Sequence, residues 1–371
     1  MFYVLAILWH ERQRFLPGVL AVAFSALLIA LQCGLLLGLF SVTSIPVDRS
    51  AADIWIGAPH VLGVDLGRPI PGRFFSRLAS QPEVEPPEYY LQGFNYWTKP
   101  GGGSQLCMII GGRLRDGTLG MLRVLPRELR EQLTEPNSVV IDKADMVRMG
   151  IRKVGDTADI MGNKVRVVGF AERQPSFAGP YVFCSIRTAR PLLQMLPDQT
   201  TYVLARCKNP DDAQAVVDRL RRYDDMTVFT TAEFSLRTRM HWLTTTKAGI
   251  ALGYTAVLGL LVGAVVTSQT LYSATASSFR EYATLEALGI PRFRIAWLVL
   301  TQAFWIGILG VLLALPVTLG LALVAELLSV HVLLPLWLLG GAGGITLIMA
   351  FLAGLGALRS LRFIDVYSLL R

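Results

Sequence analysis

The stretch FLPGVLAVAFSALLIALQCGLLLGLFSVTSIPV, Phe15 to Val47, contains no Asp, Glu, Lys or Arg. A helix crossing the hydrocarbon of a bilayer needs roughly 20 apolar residues. This run is long enough to span, with residues left over for tilt or overhang. Three more charge-free runs follow: Ala248 to Phe279, Ile295 to Ala325, and Leu327 to Leu358. Between the first and second lies a long segment of ordinary composition. All but nine of the 35 Lys and Arg residues, and all but five of the 27 Asp and Glu residues, fall between Asp48 and Arg239. The whole chain is 53% hydrophobic and only 17% charged, with mean hydropathy +0.47. A soluble protein carries about a quarter charged residues. The expected fold is therefore a membrane α-helical protein with four transmembrane helices and a large mixed α+β domain between spans one and two.

Charge placement sets the orientation. Arg12 and Arg14 precede span one, Arg280, Arg292 and Arg294 lie between spans two and three, and Arg359, Arg362 and Arg371 follow span four. An even number of spans puts these three segments on one side, which the positive-inside rule makes the cytoplasm. Both termini are then cytoplasmic and the large domain is outside. Span one reads as a retained anchor, because Glu11, Arg12 and Arg14 follow an apolar start, Met1 to Trp9, and no cleavage site leads out of the span. Met1 to Trp9 is too short to span and suits the membrane surface. The expected organisation is 1–14 cytoplasmic or interfacial, 15–42 span one, 43–246 outer domain, 247–272 span two, and 273–294 a cytoplasmic segment. Spans three and four then occupy 295–325 and 333–357, and 358–371 is a cytoplasmic tail. The net charge of +8 has no basic cluster with interleaved aromatics, so nucleic acid is not an expected partner.

Within the outer domain, Val139 to Asp142, Val165 to Phe170, Tyr181 to Ser185 and Tyr202 to Cys207 are short runs of strand type. Asn209-Pro210-Asp211-Asp212 starts a helix, with Asn209 at the N-cap and Pro210 at the first position. Met226 to Thr230 is again a strand, so Tyr202 to Thr230 reads as a βαβ unit. The mostly-β piece at about 137–197 reads as an insertion between two halves of a larger layer. Gly57 to Gly72 and Lys99 to Gly103 read as loops. Cys107, Cys184 and Cys207 lie outside, where disulfides can form. Cys184 and Cys207 end predicted strands and could pair; separate buried thiols are the alternative.

Chemistry is sparse. The chain has no G-x-x-x-x-G-K-[ST], G-x-S-x-G or H-E-x-x-H, and its four histidines are scattered. No catalytic residue, metal site or directly bound cofactor is expected. The predicted span interiors hold no ionisable residue of the kind that marks ion or proton paths. They are rich in small residues: Gly34/Gly38, Gly249/Gly253 and Gly259/Gly263 each fit G-x-x-x-G. This spacing allows close helix approach and suggests a homodimer through spans one and two.

The segment Ser278 to Pro291, SFREYATLEALGIP, is the most specific in the chain. It reads as a short amphipathic helix with Leu285 and Leu288 on one face and Arg280 and Glu281 on another, ended by Gly289. The pattern R-E-x-x-T-L-x-A-L-G before a span resembles the coupling segment of ABC permeases of the FtsX/MacB class, the type VII mechanotransmission fold. The terminal LRFIDVYSLLR, Leu361 to Arg371, resembles that class's D-P-x-x-x-L-R tail, with Val366 in place of proline. Ala52 to Gly57, Ile70-Pro71 and Phe74 to Leu78 resemble a DevC-like exporter branch. The resemblance implies a non-catalytic permease homodimer on a pair of soluble ABC ATPase subunits, with ATP and Mg used by that partner. Arg280, Glu281, Thr284, Leu285, Ala287, Leu288 and Gly289 would seat in the ATPase. It further implies a bacterial inner membrane location, export of a lipid or other hydrophobic substrate, and a periplasmic adaptor (membrane fusion) protein. The alternatives are an FtsX-like signalling permease that controls a cell-envelope enzyme, and a membrane receptor or scaffold without an ATPase.

Overall fold

The computed structural model describes residues 12–172, 174–176, 179–277, 284, 288–327 and 332–361. Four helices are long and apolar enough to cross a membrane: Arg12–Thr43, Lys247–Ser277, Arg292–Leu327 and Leu336–Leu361, here spans one to four. The chain divides into two units, the spans (Met1–Leu39 with Lys247–Arg371) and the outer domain (Phe40–Thr246). The interfacial placement expected for Met1 to Trp9 and the tail match beyond Leu361 lie outside the described residues.

In the span unit, span one packs against each of the other three. Phe15 and Val22 meet Ile306 and Ala350, Ala23 and Ala26 meet Ala314, and Ile29 and Ala30 meet Ala342. Small residues make these approaches possible. A Cβ on Gly310 would stand 2.6 Å from the Val22 side chain and 3.1 Å from the Ala23 amide nitrogen, and one on Gly259 2.6 Å from Leu28. Gly263 faces Ser25, whose hydroxyl donates to the Gly263 carbonyl (3.1 Å) and lies 2.9 Å from the Thr267 hydroxyl. The Gly259/Gly263 motif thus serves contact within one chain. Buried Thr318 and Thr346 donate to carbonyls one turn back, at Ala314 and Ala342, which satisfies their hydroxyls without water.

Among the described residues the outer domain has eleven strands. They are β1 (Ile54–Gly57), β2 (Ile70–Pro71), β3 (Glu88–Thr98), β4 (Ser104–Gly112), β5 (Ser138–Asp142), β6 (Thr157–Ile160), β7 (Asn163–Ala171), β8 (Tyr181–Ser185), β9 (Gln199–Thr200), β10 (Tyr202–Ala205) and β11 (Thr227–Thr230). Nine form one sheet in the order β11-β1-β10-β3-β4-β8-β5-β7-β6. Its far end turns back on itself: β6 also pairs with β3, Trp97 opposite Ile160 and Thr98 opposite Asp159. Strands β3, β4, β8, β5, β7 and β6 therefore close into a ring around a core that includes Trp97, Ile109, Ile141, Val167 and Val182. Closure removes a free edge that would otherwise invite intermolecular pairing. Met161 and Gly162, both with positive φ, form the two-residue turn joining β6 to β7.

Strands were found where the β-branched runs lie, and the piece at 137–197 does occupy one end of the sheet. It is continuous with the long β3–β4 hairpin, which completes its ring. That hairpin was not legible in advance, because EYYLQGFNYWT mixes aromatic and polar residues without clean alternation. The loop expected at Lys99 to Gly103 is its turn, closed by the Lys99 amide on the Gly103 carbonyl at 2.9 Å. Strand β1, fully buried, was also unforeseen. It pairs antiparallel with both β10 and β11, so these two are parallel with β1 between them. The βαβ unit is thus a split one. Asn209 has extended N-cap backbone, but its side chain makes no capping bond; its amide donates weakly to Asp212 (3.4 Å) and the helix begins as a 3-10 turn.

The suggested Cys184–Cys207 bridge is not formed. All four cysteines are free. Cys184 is in the core of the closed ring, and Cys207 is in a separate core under the helix Ala213–Leu220. Burial raises both thiols, Cys207 to about 11, and raises Cys107 to about 12, so all three are inert at neutral pH.

Candidate functional site

Of the seven residues expected to seat in an ATPase, the described ones are Thr284, Leu288 and Gly289. Arg280, Glu281, Leu285 and Ala287 lie outside the described residues. Thr284 is helical and exposed, and its carbonyl accepts the Leu288 amide at 3.0 Å. Leu288 is 75% exposed. Gly289 has φ +87°, a left-handed conformation that costs a residue with a Cβ about 1 kcal/mol. Nothing lies within 4 Å of the position a Cβ would take, so any penalty there is backbone strain. Pro291 follows, its carbonyl accepting the Arg294 amide at 2.9 Å as span three begins. Phe293 and Trp297 are 78% and 65% exposed in that first turn and a half. The sequence reading passed over both, although an aromatic pair at a span end is an interface signal.

A second arrangement sits where the outer domain joins its connecting segments. The stalk helix, Thr231–Thr245, starts on a capping box: Thr230 accepts the Glu233 amide and Glu233 accepts the Thr230 amide. It ends at Thr246, which is extended. About two turns from that end, Arg239 donates to the Ser44 hydroxyl (2.7 Å) and to Asp48 (2.6 Å), while Ser44 donates to Asp48 (2.6 Å). Ser44 and Asp48 follow directly on the first span helix. Arg239 thus clamps the chain leaving span one to the chain approaching span two. Beside the clamp is an open cleft of about 610 Å³ lined by Asp48, Asp53, Asp211, Gln214, Leu236 and Arg239. Its carboxylates suit water and cations better than an acyl chain.

On the opposite flank of the stalk helix, the chain from Val61 to Asp65 forms a strap. Arg237 Nε donates to the Val61 carbonyl (3.0 Å), the Val64 amide to Thr238 Oγ1 (3.1 Å), and Trp242 Nε1 to Asp65 (3.1 Å). The strap is tied to the sheet by Tyr202 on β10, whose hydroxyl donates to the Val64 carbonyl at 2.8 Å. Burial pushes the Asp65 carboxyl up to about 7, against the downward pull of the Trp242 hydrogen bond. Among the described residues no cluster of His, Cys, Asp and Glu could hold a metal ion.

Four apolar helices with a mixed α/β domain between the first and second define a multi-pass membrane protein with an appended core domain. The family model for the MacB-like periplasmic core domain matches residues 19–223, and that for the FtsX-like permease C-terminal region matches residues 254–366. The first alone covers more than half of the chain, which belongs to this family of FtsX/MacB-type ABC permeases. Solved structures similar to it include the periplasmic region of MacB from Actinobacillus actinomycetemcomitans (11% identity, 54% of this chain and 97% of that one, TM-score 0.34). Others are the extracellular domain of the ABC-type transporter YknZ from Gram-positive bacteria (10%, 48% and 99%, 0.33) and a permease domain from Porphyromonas gingivalis (12%, 52% and 98%, 0.31). A comparison with curated proteins finds no match.

Proposed function

We propose that the chain is the membrane subunit of an ATP-driven exporter, turning ATP binding by a separate ABC ATPase pair into movement of its outer domain. The observation that carries this reading is the FtsX-like match at residues 254–366, which contains the turn Thr284–Leu288–Gly289 with its exposed leucine. Arg280, Glu281, Thr284, Leu285, Ala287, Leu288 and Gly289 form the ATPase contact. Two copies act together on the ATPase pair. Only 18% of the residues along span two and 17% along span three are buried, against 39% along spans one and four, which leaves surface for a second copy as well as lipid.

The chain itself is non-catalytic; ATP and Mg belong to the ATPase. The Arg bias orients it in a bacterial inner membrane with the outer domain in the periplasm. The spans carry force rather than substrate: buried Thr318 and Thr346 are bonded within their own helices and Ser25 is bonded to span two. The cargo is a lipid or other hydrophobic molecule taken from the outer leaflet or periplasm, passed to an adaptor protein, as in the DevC-like branch.

Co-purification of the ATPase with Leu285→Asp tests the reading. Loss of ATPase association with intact membrane insertion is expected, because the site lies outside the lipid. Full ATPase binding and activity in this variant would overturn it.

A further inference from the structure

Asp65 has an environment that packing alone does not explain. It lies in a 3-10 turn, Val64–Leu66, and is 9% exposed. A carboxylate is costly to bury unless charge and hydrogen bonds compensate it. The side chains that face it are Trp242 from the stalk helix and Gln92 and Tyr90 from β3. With them are Tyr202 from β10 and Tyr181 from β8, whose phenols are raised first by burial and second by its charge. None of the five carries a positive charge. The ionised form is held by Trp242 at 3.1 Å and, loosely, by the Gln92 amide nitrogen at 3.5 Å.

Both groups that reach the carboxyl are donors. Gln92 is 2% exposed; its amide nitrogen also donates to the Val64 carbonyl at 3.3 Å and lies 3.1 Å from the Met108 sulfur, so it is held in an orientation that offers Asp65 a donor and not an acceptor. A proton taken from water by Asp65 therefore weakens both contacts.

We propose that Asp65 is a proton-binding site that sets how firmly the strap 61–65 grips the stalk helix. Ionised, it takes the Trp242 N–H as a charge-assisted bond; protonated, it keeps that bond only as a weaker neutral one. Trp242 lies near the end of the stalk helix that runs into span two, so the site adjusts the contact through which that helix reaches the sheet. The proton site stands on the outer domain alone; only its use in coupling rests on the permease reading.

The test uses the full chain in lipid nanodiscs, without ATPase, labelled with 15N-tryptophan. The chain has seven tryptophans, and Trp242→Phe identifies the indole resonance of interest. That N–H resonance is expected to titrate between about pH 5 and about pH 9, with a midpoint near the value of about 7 that burial gives Asp65. In Asp65→Asn it should be invariant over the same range. An invariant wild-type resonance, or one that titrates unchanged in Asp65→Asn, would overturn the proposal. The wild-type titration decides alone if the variant fails to fold. Because no ATPase is present, failure here is separate from failure of the Leu285→Asp test.

Discussion

The outer domain and the spans are held together by opposite kinds of residue. In the outer domain the largest side chains lie deepest: Trp55, Tyr90, Tyr202 and Phe234 are fully buried around one another, with Trp55 at 5.5 Å from each of the other three. In the spans, Gly, Ala and Ser let the helices approach around a few buried residues such as Phe15, Val22 and Ile306, and many large apolar residues such as Leu20, Val257 and Leu323 are exposed on the protein surface. The difference is one of solvent. Water drives aromatic surface inward, whereas lipid tails solvate leucine as well as another leucine does. Close backbone approach and hydrogen bonding are then what remain to hold helices together. Apolar residues thus mark a core in one unit and the lipid-facing side in the other.

The comparison can be broken by substitution. Trp55→Ala should have the largest effect, destabilising the outer domain by about 3–5 kcal/mol. Denaturant unfolding followed by near-UV circular dichroism would show it. An effect near zero would mean that the aromatic nucleus is not the core.

Asp65→Asn sharpens the view of the same core. A carboxyl whose folded pKa lies above its unfolded value stabilises the fold fully at low pH. That contribution is lost as pH rises through the folded value, here about 7. Wild type should therefore lose stability relative to Asp65→Asn between about pH 4, the unfolded value, and about pH 7, by on the order of 2–4 kcal/mol. Parallel pH–stability curves for the two proteins would contradict this.

Gly310→Leu probes the span unit. A side chain there meets Val22 and the span-one backbone, so overpacking should cost about 1–3 kcal/mol and lower the melting temperature in detergent. Gly340→Leu is the control; nothing lies within 4 Å of its Cβ position, and its effect should be small. Equal effects would mean that close approach does not govern these helices.

Arg239→Ala should be the mildest for stability, about 1 kcal/mol, since both partners in the ion pair are a third or more exposed. Its larger consequence is expected in coupling: ATP hydrolysis by the assembled complex should persist while transport falls. Unchanged transport would remove the clamp from the mechanism.

Spans were legible because a membrane helix is written locally, in a run of apolar residues with no charge. The left-handed Gly289 could also be read, as the glycine two residues before Pro291 at the end of a helical pattern. Several strands were readable from β-branched runs of five or six residues. The β3–β4 hairpin was not, since both faces of β3 are partly covered and its pattern loses the period of two. Asp65 gave no signal at all. A single aspartate in a Gly- and Pro-rich stretch looks like a solvated loop residue until Trp242, far along the chain, is brought onto it.

By itself, then, the sequence determined the number of spans, the large domain between the first two, and the turn chemistry of the segment before span three. Each depends on neighbours within a few residues, where composition and backbone preference suffice. Tertiary structure decided the rest: that β6 closes onto β3, that Gly259 and Gly263 are used within one chain, and that Cys184 and Cys207 lie in different cores. It also decided that Arg239 clamps Ser44 and Asp48, and that Asp65 is buried. These depend on contacts between residues distant in the chain, and no local pattern encodes which distant partner will be met.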